Sequence, residues 1–453
     1  MKTKLQPPPT KLVYKIFLYK FVALILVVLT LCSRALFATD TRATPIKDWN
    51  LIVYLAANND LSRYALHSIN QMKQIGSNNR LNILVQLDKP EYKNVKHLKV
   101  NPGTIVIEET PPLISGTRKS LFECAKWAIT NHPAKHTAIV LWNHGSGVLD
   151  PPGWGRSWIA FRDELLTINK QTGLLELKAD PLRGIAFNDT HNTYLDNNDL
   201  TVTLTRISNE LLGGKKIDIV AMDACFMAAI EIGSQIKHST NYFVASQDME
   251  PGSGWNYDLL LRPFLTNTLT PSDFAQRMVL AYQQQYQNVF AHQTQSAIKM
   301  DNYEVLEQQV SAVATTLTNL LNSSDKQQIS ALINRVRTNG NLTTSFARSQ
   351  YIDLHHFYKS LRKQISTLPI QLKNSTRVKL LQDQLQAGIN ILNQLIIQNT
   401  AGFNVKNAKG LSIYFPKTFI HQQYASTVFA KETAWLRFLQ TYKQVRTAQN
   451  YFG

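Results

Sequence analysis

Residues 216–229, KIDIVAMDACFMAA, decide the fold. Their first half is a short apolar run rich in β-branched residues, which is typical of a buried parallel strand. The run ends on the acid Asp223 and the thiol of Cys225. In open α/β sheets, ligands bind at the carboxyl ends of the strands. A helix predicted to begin near Phe226 would direct its unpaired amide groups at the same place. The stretch therefore predicts a parallel sheet with a functional site at its carboxyl edge.

A second stretch follows the same plan. Residues 136–147, HTAIVLWNHGSG, run as an apolar strand into His144 and Gly145. Elsewhere, apolar strands alternate with amphipathic helices, the strands at 51–56, 81–87, 104–108, 184–187, 242–246 and 296–300, and the helices at 61–75, 200–212 and 271–290. This order predicts an α/β fold whose mainly parallel sheet is covered by helices on both faces. Two of its predicted strands end just before His144 and Cys225, respectively.

The chain divides by pattern into three parts. Residues 1–38 carry basic residues, an apolar run at 21–31 and small residues near Ala38, which predicts a secretory signal peptide. An uncleaved membrane anchor is the alternative. Residues 47–300 form the predicted core. Residues 301–453 are predicted to be mainly helical, to return a strand near 411–415 to the core and to end in a helix at 418–438. We expect an exported protein, either periplasmic or secreted.

The charge of the chain argues against one class of partner. Its formal net charge is +17, and removal of residues 1–38, with six basic and no acidic residues, leaves +11. The remaining charges form no Lys- or Arg-rich run interleaved with aromatic residues, so no nucleic-acid partner is expected. Contact with a membrane is expected only through the N-terminal segment, if that segment is retained.

Cysteine is sparse for an exported protein. Cys32 leaves with the signal peptide, so only Cys124 and Cys225 remain. A disulfide between them is an alternative in an oxidising compartment, and it would prevent any thiol chemistry. Cys124 lies on the apolar face of a predicted helix, which favours a small buried core residue.

The two strand ends carry the residues of a nucleophilic site. A thiol is a strong nucleophile only as thiolate, which a nearby imidazole such as His144 favours. The main-chain amides of Gly145 and Cys225 could hold an oxyanion. His144 would then protonate the leaving amine. Residue pattern alone also fits a buried structural thiol at Cys225 and a turn residue at His144.

The motifs LWNHGSG at 141–147 and MDACFMA at 222–228 resemble those of the clostripain family of cysteine peptidases, relatives of caspases, gingipains and legumain. Further segments at 53–61, 188–190, 250–255 and 410–416 are similar to that family in the same order. The resemblance implies a caspase-like α/β fold, with the His/Cys dyad carried onto His144 and Cys225.

The resemblance also implies a specificity. Members of the family cleave after basic residues, and an acid two positions before the nucleophile lines the pocket for the basic side chain. That acid is Asp223 here, and a carboxylate at a pocket base suits a substrate Arg or Lys. Alternatively, Asp223 caps the following helix. Asp248, Glu250 and Asp258 are weaker candidates for the pocket.

Maturation and metal dependence are less constrained by the sequence. The family matures by self-cleavage after a basic residue between its His and Cys segments, and the loop at 148–183 offers Arg156, Arg162, Lys170, Lys178 and Arg183. No cofactor is required for the chemistry, and no zinc-type spacing is present. Because some family members need calcium, we leave calcium open, although the acids Asp189, Asp196 and Asp199 form no recognised calcium loop.

Three functions are consistent with these observations. The first is an exported cysteine endopeptidase that acts on proteins or peptides after Arg or Lys, with possible self-processing in the 148–183 loop. The second is a non-catalytic exported binding protein on the same scaffold. The third is a hydrolase or transferase that uses the dyad on another acyl substrate. The acid at Asp223 favours the first, because it suits a basic side chain better than an uncharged acyl group.

Overall fold

A computed structural model describes residues 46–148, 166–168, 175–177 and 184–452. The predicted signal peptide and the five basic residues considered for self-cleavage lie outside this part of the chain. No helix among the described residues combines the length and the apolar character needed to cross a bilayer.

The described residues form fifteen strands and thirteen α-helices. The strands are β1 Lys47–Ala56, β2 Leu81–Asp88, β3 Lys96–Asn101, β4 Thr104–Glu109, β5 Ala134–Trp142, β6 Leu166–Ile168, β7 Leu175–Leu177, β8 Ile185–Asn188, β9 Thr193–Leu195, β10 Ile217–Asp223, β11 Thr240–Ala245, β12 Thr294–Lys299, β13 Tyr351–Asp353, β14 Ile396–Ala401 and β15 Ser412–Tyr414. The helices are α1 Ser62–Ile75, α2 Arg118–Asn131, α3 Asn197–Arg206, α4 Ile230–Ile236, α5 Tyr257–Leu261, α6 Pro271–Tyr286, α7 Tyr303–Leu321, α8 Lys326–Thr338, α9 Leu354–Gln364, α10 Ile370–Lys373, α11 Thr376–Leu395, α12 Val428–Glu432 and α13 Trp435–Phe452.

Nine strands form one mixed sheet in the order β14-β12-β11-β10-β5-β1-β2-β3-β4. The five central strands, from β11 to β2, pair in parallel. The strands outside them join antiparallel. The prediction of a mainly parallel sheet is therefore confirmed at its centre, where each strand is apolar on both faces.

The sheet separates two hydrophobic clusters. Alternate residues of β1 enter different clusters, with Ile52 and Tyr54 on one face and Leu51 and Val53 on the other. All four are fully buried. This alternation follows from the period of two along a strand, and it explains why a central strand is apolar throughout.

Several sequence predictions for the second half of the chain are wrong. Residues 396–401, which lie at the end of a region predicted to be mostly helical, form β14 and pair with β12, because tertiary strand pairing outweighs local helix propensity. The helix predicted at 418–438 is broken, since Thr427 and Thr433 are extended on either side of α12 and the long terminal helix begins only at Trp435. The strand predicted near 411–415 exists as β15, but it pairs with β13 in a separate two-stranded sheet.

Candidate active site

The neighbouring strands β5 and β10 bring the two sequence motifs to the same edge of the sheet. Trp142 and Asp223 are register partners at the ends of these strands, and His144 and Cys225 each follow two residues later. The main chain of Gly145 lies against the carbonyl of Cys225, because a Cβ at Gly145 would be only 2.3 Å from that oxygen. The His and Cys motifs therefore meet at the carboxyl edge.

An acid from a third strand end holds His144. Its Nε2 lies 2.8 Å from Oδ1 of Asp60, which follows β1, and the imidazole is 22% exposed. Asn143 anchors the loop, since its side chain accepts a hydrogen bond from the N–H of Phe187 at 2.9 Å and donates one to the carbonyl of Phe187 at 3.1 Å. A carboxylate at Nε2 favours the tautomer with its proton there, which makes Nδ1 the basic nitrogen. Sequence reasoning assigned no role to Asp60.

The thiol of Cys225 is held by Glu250, and Cys225 is partly exposed. The N–H of Glu250 donates to Sγ at 3.2 Å, and the thiol donates to the carbonyl of Glu250 at 3.7 Å. Burial raises the pKa of the Cys225 thiol to about 12, so the thiolate requires a change around the sulfur. Cys124 and Cys225 are both free, so the disulfide considered from the sequence is not formed, and Cys124 is buried.

The backbone after Cys225 differs from the prediction. Helix α4 begins at Ile230, not near Phe226, so no helix start directs its amides at the thiol. Phe226 instead has a left-handed φ of 62°, and its N–H donates to the carbonyl of Asp248 at 3.1 Å. The N–H of Ala228 donates to the carbonyl of Ser246 at 2.8 Å. Hydrogen bonds to the loop after β11 therefore replace the predicted helical turn.

Asp223 forms a buried acid pair with Glu250. Their exposed fractions are 4% and 7%, and their carboxyl groups lie close enough to affect each other's ionisation. Asp223 also accepts from the N–H of Trp255 at 3.1 Å and from the hydroxyl of Tyr257 at 3.0 Å. Glu250 accepts from the indole of Trp255 at 2.9 Å and from Gln295 at 3.3 Å. Both carboxyl groups therefore accept hydrogen bonds from the residues around them.

Burial controls the ionisation of this pair. It raises the pKa of Asp223 to about 7. Burial and the adjacent Asp223 charge raise the pKa of Glu250 well above its usual value. Two carboxyl groups in contact therefore share a proton near neutral pH. The alternative that Asp223 caps the following helix is wrong, because the N-cap of α4 is Ala229.

The other two acids considered for the pocket have different partners. Asp258 lies 2.5 Å from Arg262, one turn later. Asp248 accepts from the main-chain N–H groups of Met249 and Ala347 at 2.9 and 3.0 Å. Only Glu250, among the three, joins Asp223.

Aromatic side chains surround the acid pair. Gly254, at a φ of 64°, brings its main chain against Asp223, because a Cβ there would lie 3.0 Å from both carboxyl oxygens and from the indole nitrogen of Trp142. The hydroxyl of Tyr286 donates to the carbonyl of Gly254 at 2.6 Å. Among the described residues, the indole nitrogen of Trp142 and the hydroxyl of Tyr282 are buried without a hydrogen-bond partner. Aromatic rings therefore surround the acid pair, and two of them, Trp142 and Tyr282, carry a buried polar group without a hydrogen-bond partner.

A residue from the C-terminal region links the two motif loops. Arg348 is 4% exposed and donates to the carbonyl of Ser146 at 2.5 Å. Its guanidinium lies 5.0 Å from the ring centre of Phe226. Its charge favours the thiolate of Cys225 and so partly offsets the effect of burial on that pKa. Sequence reasoning missed Arg348 because it lies far along the chain from both motifs, in the loop between α8 and β13.

Two of the acids considered for calcium, Asp196 and Asp199, have structural partners. Asp196 and Asp199 form a capping box at the start of α3, and Asp199 also pairs with Arg118. Within residues 46–148 and 184–452, no group of three or more His, Cys, Asp or Glu side chains is arranged to hold a metal ion.

Solved structures share this architecture. A secreted C11 cysteine protease from Bacteroides thetaiotaomicron, bound to an irreversible peptide inhibitor, is 17% identical with a TM-score of 0.55, covering 87% of this chain and 99% of that one. An inactive zymogen C11 protease from Parabacteroides distasonis is 16% identical with a TM-score of 0.57, covering 86% and 99%. A further secreted B. thetaiotaomicron C11 protease, iotapain, is 14% identical with a TM-score of 0.56, covering 86% and 99%. The fold therefore defines the class, a caspase-like α/β protein.

Sequence comparison then identifies the family. The profile of the clostripain family matches residues 53–168 and 173–442. No curated protein matches the sequence. The chain belongs to the clostripain family and is a cysteine peptidase, which confirms the resemblance found in its motifs.

Proposed function

We propose that this peptidase cleaves peptide bonds after Arg or Lys, with His144 and Cys225 as its catalytic dyad. One observation carries the proposal: Asp223 and Glu250, two buried acids, come from the segments that hold the thiol, since Asp223 lies two residues before Cys225 and the main-chain N–H of Glu250 donates to its sulfur. A guanidinium or ammonium group that enters this pair replaces the shared proton and satisfies both carboxylates. An uncharged side chain offers no such compensation for two buried acids.

The residues around Asp223 suit a long basic side chain. Trp255 and Tyr257 hydrogen-bond to Asp223, and their rings would provide flat apolar surface for the aliphatic part of a bound Arg or Lys. The spare donors of Trp142 and Tyr282 lie in the same surroundings. The carboxyl pair then supplies charge at the far end of the side chain.

The dyad would act by covalent catalysis. The sulfur of Cys225, its proton passed to His144, attacks the substrate carbonyl and forms a carbon–sulfur bond. The amides of Gly145 and Cys225 would stabilise the oxyanion. His144 returns the proton to the leaving amine as the carbon–nitrogen bond breaks, and water activated by His144 then hydrolyses the thioester. Asp60, 2.8 Å from His144, would orient the imidazole.

Export and maturation belong to the same proposal. The N-terminal segment would be removed after Ala38, giving a periplasmic or secreted enzyme. Self-cleavage after a basic residue in the 148–183 loop would follow export. N-terminal sequencing of the purified protein would locate both cuts, and a calcium titration of its activity would decide the metal requirement.

The test is hydrolysis of short peptidyl amides ending in Arg, Lys, Asp or Leu, in reducing buffer with and without calcium. We expect cleavage after Arg or Lys, loss of it in Cys225→Ala and His144→Ala, and retention in Cys124→Ala, which removes the other thiol. Asp223→Asn should lose basic substrates selectively.

Two outcomes would contradict the proposal. Cleavage after Asp or Leu alone would overturn the specificity. Absence of turnover by a folded, reduced sample, including one nicked within residues 148–183, would overturn the catalytic assignment and favour a binding scaffold.

A further inference from the structure

Glu250 occupies two positions in the site at once. Its main-chain N–H and carbonyl both hydrogen-bond to the sulfur of Cys225, at 3.2 and 3.7 Å. Its side chain reaches the acid pair, where it contacts Asp223 and the indole of Trp255. Glu250 therefore contacts the thiol through its main chain and lines the proposed basic pocket through its side chain.

The carboxyl of Glu250 is held in place by two neutral donors. It accepts from the indole of Trp255 at 2.9 Å and from the side chain of Gln295 at 3.3 Å. A guest that turns this carboxyl away from these donors moves the residue whose main-chain N–H and carbonyl contact the sulfur.

A basic guest would force such a rotation. The carboxyl of Glu250 lies next to that of Asp223, and burial drives both toward their neutral forms. A cation between the two groups favours their ionised forms, so the protons pass to the solvent and each carboxylate turns to the cation. The main-chain contacts of Glu250 with the sulfur then weaken, and the thiol is released to His144.

We propose that Glu250 is a positioning residue that couples occupation of the basic pocket to the reactivity of the Cys225 thiol. This inference rests on the proposed function and adds a consequence to it: the correct substrate side chain exposes the nucleophile that attacks it. A peptide without a basic residue would leave the thiol of Cys225 in its hydrogen bonds with the main chain of Glu250.

The test is the rate of alkylation of Cys225 by iodoacetamide in a Cys124→Ala background, where one thiol remains after removal of the signal peptide. Benzamidine supplies a basic guest without a scissile bond, and benzamide is its uncharged counterpart. We expect saturating benzamidine to raise the alkylation rate severalfold and benzamide to leave it unchanged. Glu250→Gln should abolish the acceleration, whereas Glu304→Gln, the same change at a carboxyl that is 45% exposed and outside the site, should retain it.

Calorimetric titration with benzamidine separates this inference from the proposed function. Binding with unchanged or slower alkylation would overturn the coupling and leave the basic pocket in place. Absence of binding to the folded protein would overturn both. Acceleration that persists in Glu250→Gln would overturn the role of Glu250, and a Glu250→Asp variant that restores part of the lost acceleration would support it.

Discussion

At the scale of single residues, ionisation dominates the chemistry of the site. The thiol of Cys225 and the carboxyl of Asp223 are both driven toward their neutral forms by burial, with pKa values raised to about 12 and about 7. Both groups must ionise before Cys225 can act as a nucleophile and Asp223 can bind a cation. A cationic guest and a reacting imidazole are the groups that would reverse these shifts.

The first prediction concerns the pH dependence of basic ligands. A cation binds the ionised acid pair, so below the raised pKa of Asp223, about 7, a proton must first leave. We expect the inhibition constant of benzamidine to rise as the pH falls from 8 to 6, by up to about tenfold per pH unit for each proton released. Asp223→Asn should weaken binding and flatten the profile. An inhibition constant independent of pH would contradict the shared proton.

The second prediction concerns the orientation of His144. Asp60→Ala removes the carboxylate 2.8 Å from Nε2, so the ring loses its fixed tautomer and direction. We expect kcat to fall by roughly tenfold to a hundredfold, part of the gain that acid–base catalysis provides, with KM nearly unchanged. Asp60→Asn should restore part of the loss. Equal effects of both variants on KM alone would contradict a positioning role.

At the scale of elements, two loops meet because one of them carries glycine. The main chain of Gly145 follows β5 and rests on the carbonyl of Cys225, which follows β10. Helix α4 is anchored from the opposite side by Glu231, which is fully buried and accepts from Tyr414 and Tyr424, both at 2.9 Å. The position of the Cys motif therefore depends on contacts on both sides of it.

The third prediction is that Gly145→Ala separates the two loops. Its Cβ would lie 2.3 Å from the carbonyl oxygen of Cys225, so the main chain must shift. A displacement of about 1 Å can cost about a hundredfold in rate, and we expect kcat/KM to fall by that order. Gly340→Ala, where a Cβ meets nothing within 4 Å, is the control. Full activity of Gly145→Ala in the peptidyl-arginine assay would contradict the close approach.

The fourth prediction concerns stability. Burial raises the pKa of Glu231 from 4.5 to about 7. As the pH rises, Glu231 therefore keeps its proton to a higher pH in the folded protein than in the unfolded chain. Its stabilising contribution is full below pH 4.5 and is lost as the pH rises through 7. Glu231→Gln stays neutral, so we expect its unfolding free energy, relative to the unsubstituted protein, to increase by up to about 3 kcal/mol between pH 5 and pH 8.

Urea denaturation of both proteins at the two pH values measures this difference. Glu304→Gln is the control, because its side chain is 45% exposed and the substitution should leave the pH dependence unchanged. An equal pH dependence in the Glu231→Gln and unsubstituted proteins would contradict the raised pKa.

At the scale of the whole molecule, the C-terminal region is part of the site. Residues Lys47–Gly453 form one compact unit, β14 extends the nine-stranded sheet, and Asp353 accepts from Gln247 at 3.0 Å in the loop after β11. Arg348 reaches both motif loops. The boundary at residue 300 stays a prediction, and expression of residues 47–300 alone would test it.

The fifth prediction follows from the position of Arg348. Its charge favours the thiolate of Cys225, and its guanidinium bridges Ser146 and Phe226. We expect Arg348→Met to reduce kcat/KM about tenfold or more and to move the pH profile of Cys225 alkylation to higher pH. Arg362→Met, on the exposed face of α9, is the control. An unchanged alkylation profile with reduced stability would assign Arg348 a purely structural role.

The sequence by itself determined the central strands, the strand ends that carry His144 and Cys225, and the family. These features are local, because an apolar run of strand length followed by polar residues has the same meaning wherever it lies. Only the tertiary structure decided that Asp60, Glu250 and Arg348 join the site, and that β14 is a strand. Their roles depend on which loops meet in space and on how much water burial removes, and neither quantity is encoded in the neighbouring residues of the chain.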